Sequence, residues 1–374
     1  VAESRQGLSV RPLLVDLGRD YRGGQHQALL LLQGLASRGH APKLIVLRDS
    51  LLSRRAKDAG ISTYGVGSRG KQLFAALAVR RLLRKRQVDI IHANEPHALS
   101  AAWLARAHRP VPLIVSRRIA FHPFKLNPVS QAYYRAAKRI VAVSHFVERS
   151  ILVCGFPPSQ IEVIYDGVEI PPVISKVDRD KARARYGIPE GSTCIANVAA
   201  FVPEKRQRLL LGAIADLREQ FPQCVLLLAG EGPERAKLQE IARQLRLDDV
   251  VKSPGFVADI ESLYAATDLF VFPSFEEPLG SSLLSAMAYG LPVVAVTGGG
   301  VPEVVEDCRT GLLVKLTDTR VLPGAIARLL SNPAEARRFG EAARESIGAR
   351  FSADRMVDAT LGLYERLIVT HGKY

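Results

Sequence analysis

The chain reads as an α/β protein made of two successive series of parallel strand–helix units. Three observations carry that reading. Short apolar runs such as Pro12 to Leu17 and Val293 to Val296 alternate with longer mixed segments along the chain. The stretch Asp166 to Ser175 holds two prolines and no periodicity, so it reads as a linker between the two series. An apolar content of 47% with 24% charged residues is that of a well-packed globular protein, and 374 residues suit two domains better than one.

In the first series, Pro12 to Leu17 is the first expected strand, and Gln25 to Arg38 a helix closed by Gly39. Lys43 to Leu47 is a strand and Lys71 to Arg86 a basic helix. Asp89 to Ala93, Leu113 to Ser116 and Ile140 to Ser144 complete the expected strands. The second series begins with a strand at Thr193 to Val198 and a helix at Arg208 to Gln220. A strand at Val225 to Ala229, a helix at Glu234 to Leu245 and a strand at Val250 to Ser253 follow, and helices run from about Arg320 onward. Two Rossmann-like domains facing each other across a cleft are the economical arrangement.

Net charge is +14, and it is uneven. Residues 1–175 hold 26 Lys and Arg against 11 Asp and Glu, whereas residues 176–374 hold 25 against 26. A basic first half points to an anionic partner: a membrane, a nucleic acid or a phosphorylated acceptor. Nucleic acid is disfavoured, because no nucleic-acid motif is present and the basic residues are not interleaved with aromatics. No apolar run is long enough to span a bilayer, and Leu29 to Leu32 is too short for a signal region. Cys154, Cys194, Cys224 and Cys308 lack Cys-x-x-Cys spacing and read as reduced residues, which favours a cytoplasmic location.

The most informative stretch is Asp268 to Val296. Leu269 to Phe272 is a short strand, and Pro273 to Gly280 a loop because two prolines and a glycine exclude regular structure. Ser281 to Tyr289 is a helix ended by Gly290 and Pro292, and Val293 to Val296 a second buried strand. A carboxylate at a strand end beside a helix start can hold a phosphorylated, polyhydroxylated ligand. Backbone N–H groups and the helix dipole favour phosphate, while Glu277 accepts from sugar hydroxyls.

From Pro273 to Ala295 the chain resembles the donor-site signature of family 4 retaining glycosyltransferases, which have the GT-B fold. The resemblance implies a nucleotide-sugar donor, a hydroxyl acceptor, and no metal or other cofactor. It implies an acceptor-binding domain at 1–172, a nucleotide-sugar-binding domain at 173–350, and a last helix at 351–374 crossing back to the first domain. Glu277 would orient the donor sugar. Leu279, Gly280, Ser281 and Ser282 would offer backbone N–H groups to the diphosphate. Ser285 stands where the family usually has a ribose-gripping glutamate.

Further matches extend over nearly the whole chain. Gly23 and Gly24 match the family's glycine pair after the first strand, and Val141 to His145 and Asp166 to Val168 match architectural segments. Lys205 matches a diphosphate-binding lysine whose partner arginine is here Ala200, with Arg206 or Arg208 as substitutes. Gly232 belongs to the Gly-x-Gly-Pro turn, Phe256 and Val257 to the segment lining the nucleobase, and Gly298 to Glu303 to a turn closing the donor pocket. The family's histidine near the reacting carbon falls on Arg118; His122 is the nearest imidazole. Arg117 or Arg118 would suit an oxyanion, since guanidinium binds one bidentately.

The expected function is transfer of a sugar to a glycan or glycolipid of the bacterial envelope, such as a lipopolysaccharide core, with peripheral attachment to an anionic membrane. Alternatives are a GT-B nucleotide-sugar-binding protein whose transfer is lost or altered, motivated by Ser285 and Ala200, an epimerase, or a basic nucleic-acid binder. The helix Lys71 to Arg86 sets Leu73, Phe74, Leu77 and Leu82, facing inward or toward lipid, near Arg80, Arg81, Arg84, Lys85 and Arg86.

Overall fold

A computed structural model describes residues 9–121, 127–315 and 320–371. The chain divides into two compact units, the first running to Gly167 and resuming at Ala353, the second spanning Val168–Ser352.

The first unit holds strands β1 Pro12–Asp16, β2 Lys43–Leu47, β3 Ser62–Val66, β4 Ile90–Ala93, β5 Leu113–Arg117, β6 Arg139–Ala142 and β7 Ile161–Val163. Its helices are α1 Gly23–Ser37, α2 Leu51–Asp58, α3 Lys71–Arg84, α4 Pro96–Leu104, α5 Pro128–Ala136 and α6 His145–Val153. All strand pairs are parallel, in the order β3-β2-β1-β4-β5-β6-β7. The order reverses direction between β1 and β4, so a crevice opens at their carboxyl ends.

The second unit repeats this plan. It begins with α7 Lys176–Arg185, β8 Thr193–Val198, α8 Gln207–Leu217, β9 Cys224–Ala229, α9 Arg235–Gln244, β10 Val251–Gly255, α10 Ile260–Ala266 and β11 Leu269–Phe272. It continues through α11 Ser281–Ala288, β12 Val293–Val296, α12 Val301–Val304, β13 Leu312–Val314, α13 Val321–Ser331 and α14 Pro333–Arg350. Its parallel sheet has the order β10-β9-β8-β11-β12-β13, with the reversal between β8 and β11. The last helix, α15 Ala353–His371, belongs to the first unit and packs on α1.

Each unit buries its own apolar core. Leu14, Leu32, Leu44, Ile90 and Tyr364 anchor the first, and Ile195, Leu211, Leu226, Val271 and Phe339 the second. Both sheets are covered by helices, and their central strands are correspondingly apolar. The α/β class and its parallel units are as the sequence predicts. The short elements α2, α4, α5, α6, α7, α10, α12, β3, β7 and β13 were not expected, none of the helices among them exceeding ten residues. Helix α7 (KVDRDKARAR) buries little beyond Ala182 and is fixed instead by Arg179 and Arg183, which pair with Asp268.

Cys154, Cys194, Cys224 and Cys308 form no disulfide. Burial, then the nearby Asp268, pushes the Cys194 thiol up to about 12, so it is inert. Among the described residues no helix is long and apolar enough to cross a membrane.

Candidate active site

In the second unit the switch point is lined by two loops. One follows β8 and ends in a 3-10 turn at Pro203–Lys205; the other follows β11 and runs from Pro273 to Gly280. The backbone N–H of Phe275 donates to the Glu204 carbonyl, holding the loops side by side. Lys205 Nζ donates to Glu277 Oε2, and the two side chains keep 25% and 15% of their exposure. A cation and a carboxylate whose side chains bond only each other among the described residues can each be drawn to a ligand group of opposite character.

The next wall is α11. Its amino end follows Gly280, and no side chain caps it. Leu279 is buried beneath the loop, Ser281 is exposed and Ser282 half-buried, so the start of the helix faces solvent without a competing carboxylate. Ser285 Oγ donates to the Ser281 carbonyl at 3.1 Å, one turn back along the helix. The hydroxyl that replaces the family's glutamate is therefore engaged locally.

Two glycine turns allow the loops to pack this closely. A Cβ on Gly299 would lie 2.1 Å from the Glu277 carbonyl oxygen, and one on Gly232 would lie 2.4 Å from that of Phe201. Any side chain there would displace the backbone that carries Glu277 or the turn before Lys205. The backbone N–H of Gly300 donates to Glu277 O at 2.7 Å, which fixes the loop from the other side. Phe256, just past β10, is 74% exposed and Val257 is half-buried, leaving an aromatic face available for stacking. Arg206 stacks over the ring of Phe275 at 4.4 Å; Arg208 is exposed on α8.

The first unit treats its switch point differently. Asp16 ends β1 fully buried, and its carboxylate accepts from Asn94 Nδ2 at 2.6 Å, Gln25 Nε2 at 3.1 Å and Gly18 N at 2.9 Å. Asn94 also donates to the carbonyl of Gly24, fixing the start of α1, where Gly23 is the first helical residue. Arg118 donates to Asn94 Oδ1 at 2.7 Å and to Asp166 Oδ1 at 2.9 Å. Its guanidinium and that carboxylate are both largely buried. Arg118 is thus held in a balanced pair, one step from Gly24.

Arg117 points elsewhere. Adjacent strand residues alternate faces, and Arg117 lies over Phe121 at 4.2 Å with Nη1 donating to the Tyr134 hydroxyl at 3.3 Å. Of the expected alternatives Arg117 or Arg118, it is Arg118 that joins the crevice network. His122 lies outside the described residues.

Behind this network sits His92, buried in β4 between the Tyr364 hydroxyl and Ser116 Oγ, each at 2.7 Å. Burial, reinforced by Arg118, pushes its pKa down to about 3, so the ring is neutral at ordinary pH. Asp16, His92 and Asn94 were not singled out from sequence. The signal was present as polar residues ending otherwise apolar strands.

Family models match both units: the Glycosyltransferase Family 4 model over residues 21–170, and the Glycosyl transferases group 1 model over residues 178–346. The chain is 30% identical over 302 residues to a D-inositol 3-phosphate glycosyltransferase of Mycobacterium avium, covering 75% of this chain and 70% of that one. It is 26% identical over 350 residues to the lipopolysaccharide core biosynthesis glycosyltransferase LpsD of Rhizobium meliloti, covering 92% and 95%. Anabaena Alr3699/HepE, solved with UDP-glucose, superposes with a TM-score of 0.82 at 23% identity, covering 94% and 99%. The two parallel sheets are those of the GT-B glycosyltransferases. The chain belongs to the glycosyltransferases, with family 4 represented in its first unit and group 1 in its second.

Proposed function

We propose that this glycosyltransferase moves a sugar from a nucleotide-sugar to a hydroxyl of an envelope glycan or glycolipid, with retention at the anomeric carbon and without a metal ion. The observation that carries the proposal is the meeting of Lys205 and Glu277 at the second unit's switch point, beside the uncapped start of α11. A nucleoside diphosphate needs positive charge where its leaving oxygen develops. Lys205 and the N–H groups of Gly280, Ser281 and Ser282 supply it without a metal ion. As the bond from the anomeric carbon to the β-phosphate oxygen breaks, a bond to the acceptor oxygen forms on the same face. The acceptor's proton leaves on the departing phosphate. Glu277, released from Lys205, accepts from the sugar hydroxyls and orients the ring.

In this reading the second unit binds the donor, with Phe256 and Val257 against the base and Ser285 near the ribose. Leu279 holds the loop from below, and Gly232 allows the turn that frames the pocket. The first unit binds the acceptor. Gly23 and Gly24 permit close backbone approach, Arg118 is a positioning residue, and His122 is assigned from sequence alone. Relatives named for a lipopolysaccharide core and for inositol 3-phosphate support an acceptor carrying anionic groups, met on the cytoplasmic side of a membrane.

Thermal unfolding against a panel of nucleoside diphosphates and nucleotide-sugars tests the donor class. A ligand at about a hundred times its Kd stabilises by about 2.7 kcal/mol, a readily measured shift. Absence of stabilisation by every member of the panel would overturn the reading. Product configuration determined by NMR tests retention.

A further inference from the structure

The α3 helix carries apolar residues on its outer face as well as its inner one. Ala75, Ala76, Val79 and Leu82 face the sheet and are buried, which completes the inward stripe. Leu73, Phe74 and Leu77 lie on the opposite face at 59%, 52% and 52% exposure. A helix packed on a sheet ordinarily carries polar residues there. Farther along, the same outer face carries Arg80, Arg81 and Arg84, all exposed. The outer stripe is therefore apolar for its first turns and cationic for its last.

The surroundings continue the pattern. Helix α3 packs on α4, and α4 on α5, forming one layer. From Lys71 to Lys138 the chain has 13 Lys and Arg, Arg117 and Arg118 among them engaged inside the unit, against two carboxylates, Asp89 and Glu95. Neither carboxylate offsets the surface charge. Asp89 pairs with Arg11, and Glu95 is spent capping α4 through the N–H groups of His97 and Ala98. Trp103 of α4 and Tyr133 of α5 meet half-buried in this layer, their ring centroids 4.9 Å apart. Beside the stripe, Tyr64, Leu77, Arg81 and Lys85 line a groove of about 500 Å³. Arg81 and Lys85 stand one helical turn apart on that groove and have no carboxylate partner among the described residues.

We propose that α3, with the layer behind it, is a docking face for an anionic lipid bilayer. Leu73, Phe74 and Leu77 enter the boundary between headgroups and acyl chains, and the groove between Arg81 and Lys85 seats a phosphate headgroup. This rests on the reading that the acceptor is lipid-linked, and it names the surface that meets the lipid. Charge selects the occupant. A neutral apolar partner gains nothing from the cations, and a soluble polyanion gains nothing from Leu73, Phe74 and Leu77. An anionic bilayer satisfies both halves of the stripe.

The test is co-sedimentation of the full chain with vesicles of phosphatidylcholine alone, or of phosphatidylcholine with phosphatidylglycerol, at low and physiological salt. The expected result is binding to the anionic vesicles only, weakened by salt. Each basic residue near an anionic leaflet contributes about fivefold in partitioning, so Arg81→Glu with Arg84→Glu lowers binding by at least about 25-fold. The triple substitution Leu73→Ser, Phe74→Ser, Leu77→Ser lowers it about tenfold or more. These side chains are exposed, so circular dichroism melting should be unchanged in both variants. Equal binding to both vesicle types, or no binding at low salt, overturns the proposal. So does binding indifferent to the triple substitution, which would mark a general polyanion site such as one for nucleic acid. Calorimetry with UDP-glucose and the other nucleotide-sugars runs alongside. Donor binding without vesicle binding refutes the docking face alone; vesicle binding without donor binding refutes the transferase reading alone.

Discussion

The two units put polar residues at the same place in the same fold, the crevice between two strands where the sheet order reverses, yet they prepare it in opposite ways. In the first unit, after β1 and β4, Asp16, Asn94, Arg118 and Asp166 are tied to one another and mostly buried. In the second, after β8 and β11, Lys205 and Glu277 are buried to a similar degree, but their side chains bond only each other among the described residues. A network in which each charge is bonded from several sides holds a shape. A single pair with no further side-chain partner can be exchanged for a ligand, because one contact is lost when it opens. The same crevice thus serves as a frame in one unit and as a receptor in the other.

If the contrast holds, changes in the second unit should strike turnover and leave the fold alone. Glu277→Ala should lower kcat/KM by about 10²–10³-fold, the range for removal of one aligned catalytic contact, with an unchanged melting temperature. Near-native turnover with every nucleotide-sugar would remove Glu277 from the site. In the first unit the order is inverted. Asp166→Ala leaves Arg118 largely buried without its carboxylate and should cost about 3 kcal/mol of stability, with donor affinity intact. Urea unfolding and donor calorimetry on the same variant separate the two outcomes.

Lys205→Ala should weaken nucleoside diphosphate binding by about 1.5–3 kcal/mol while sparing the nucleoside. Equal losses for both by calorimetry would contradict its role as a phosphate ligand.

His92 sharpens the contrast through pH. Its unfolded value is near 6.5, and burial lowers the folded value to about 3. The unfolded chain therefore takes up a proton that the folded unit refuses. Stability from the neutral ring is complete above about pH 6.5 and is lost as pH falls toward 3. Between pH 7 and 5 the loss should be about 2 kcal/mol. Hydrogen exchange of β4 and β5 should show it in the native chain and less in His92→Gln, with no counterpart in β8 and β11. The smallest effect expected is at Ser285. Its hydroxyl already bonds Ser281, so Ser285→Glu should raise nucleotide-sugar affinity severalfold if the ribose lies there, and a block of binding would show a differently shaped pocket.

The course from β11 to β12 was legible because proline, glycine and apolar runs punctuate it: the expected strands at Leu269 to Phe272 and Val293 to Val296 are those observed. The expected helix from Ser281 differs from α11 by one residue. Sequence could not show that Lys205 reaches Glu277, because that depends on two loops brought together by sheet order. Nor could it separate Arg117 from Arg118. One step in strand register sends the first into the Phe121 and Tyr134 cluster and the second to Asp166. Strand β3 escaped notice because STYGV is a partly exposed edge strand with no apolar run.

The return of α15 to the first unit has a consequence for how the chain is made. Met356, Leu363, Tyr364 and Leu367 complete the core around Leu32 and Ile90, but a ribosome must first add all of residues 168–352. At about 5–20 residues per second that interval is roughly 10–40 s. For that time the face of α1 awaiting α15 is bare, and His92 waits for Tyr364. The second unit emerges as one uninterrupted segment and closes without delay. The half of the protein synthesised first is the half finished last, and a nascent chain halted before Ala353 should present that bare face to chaperones.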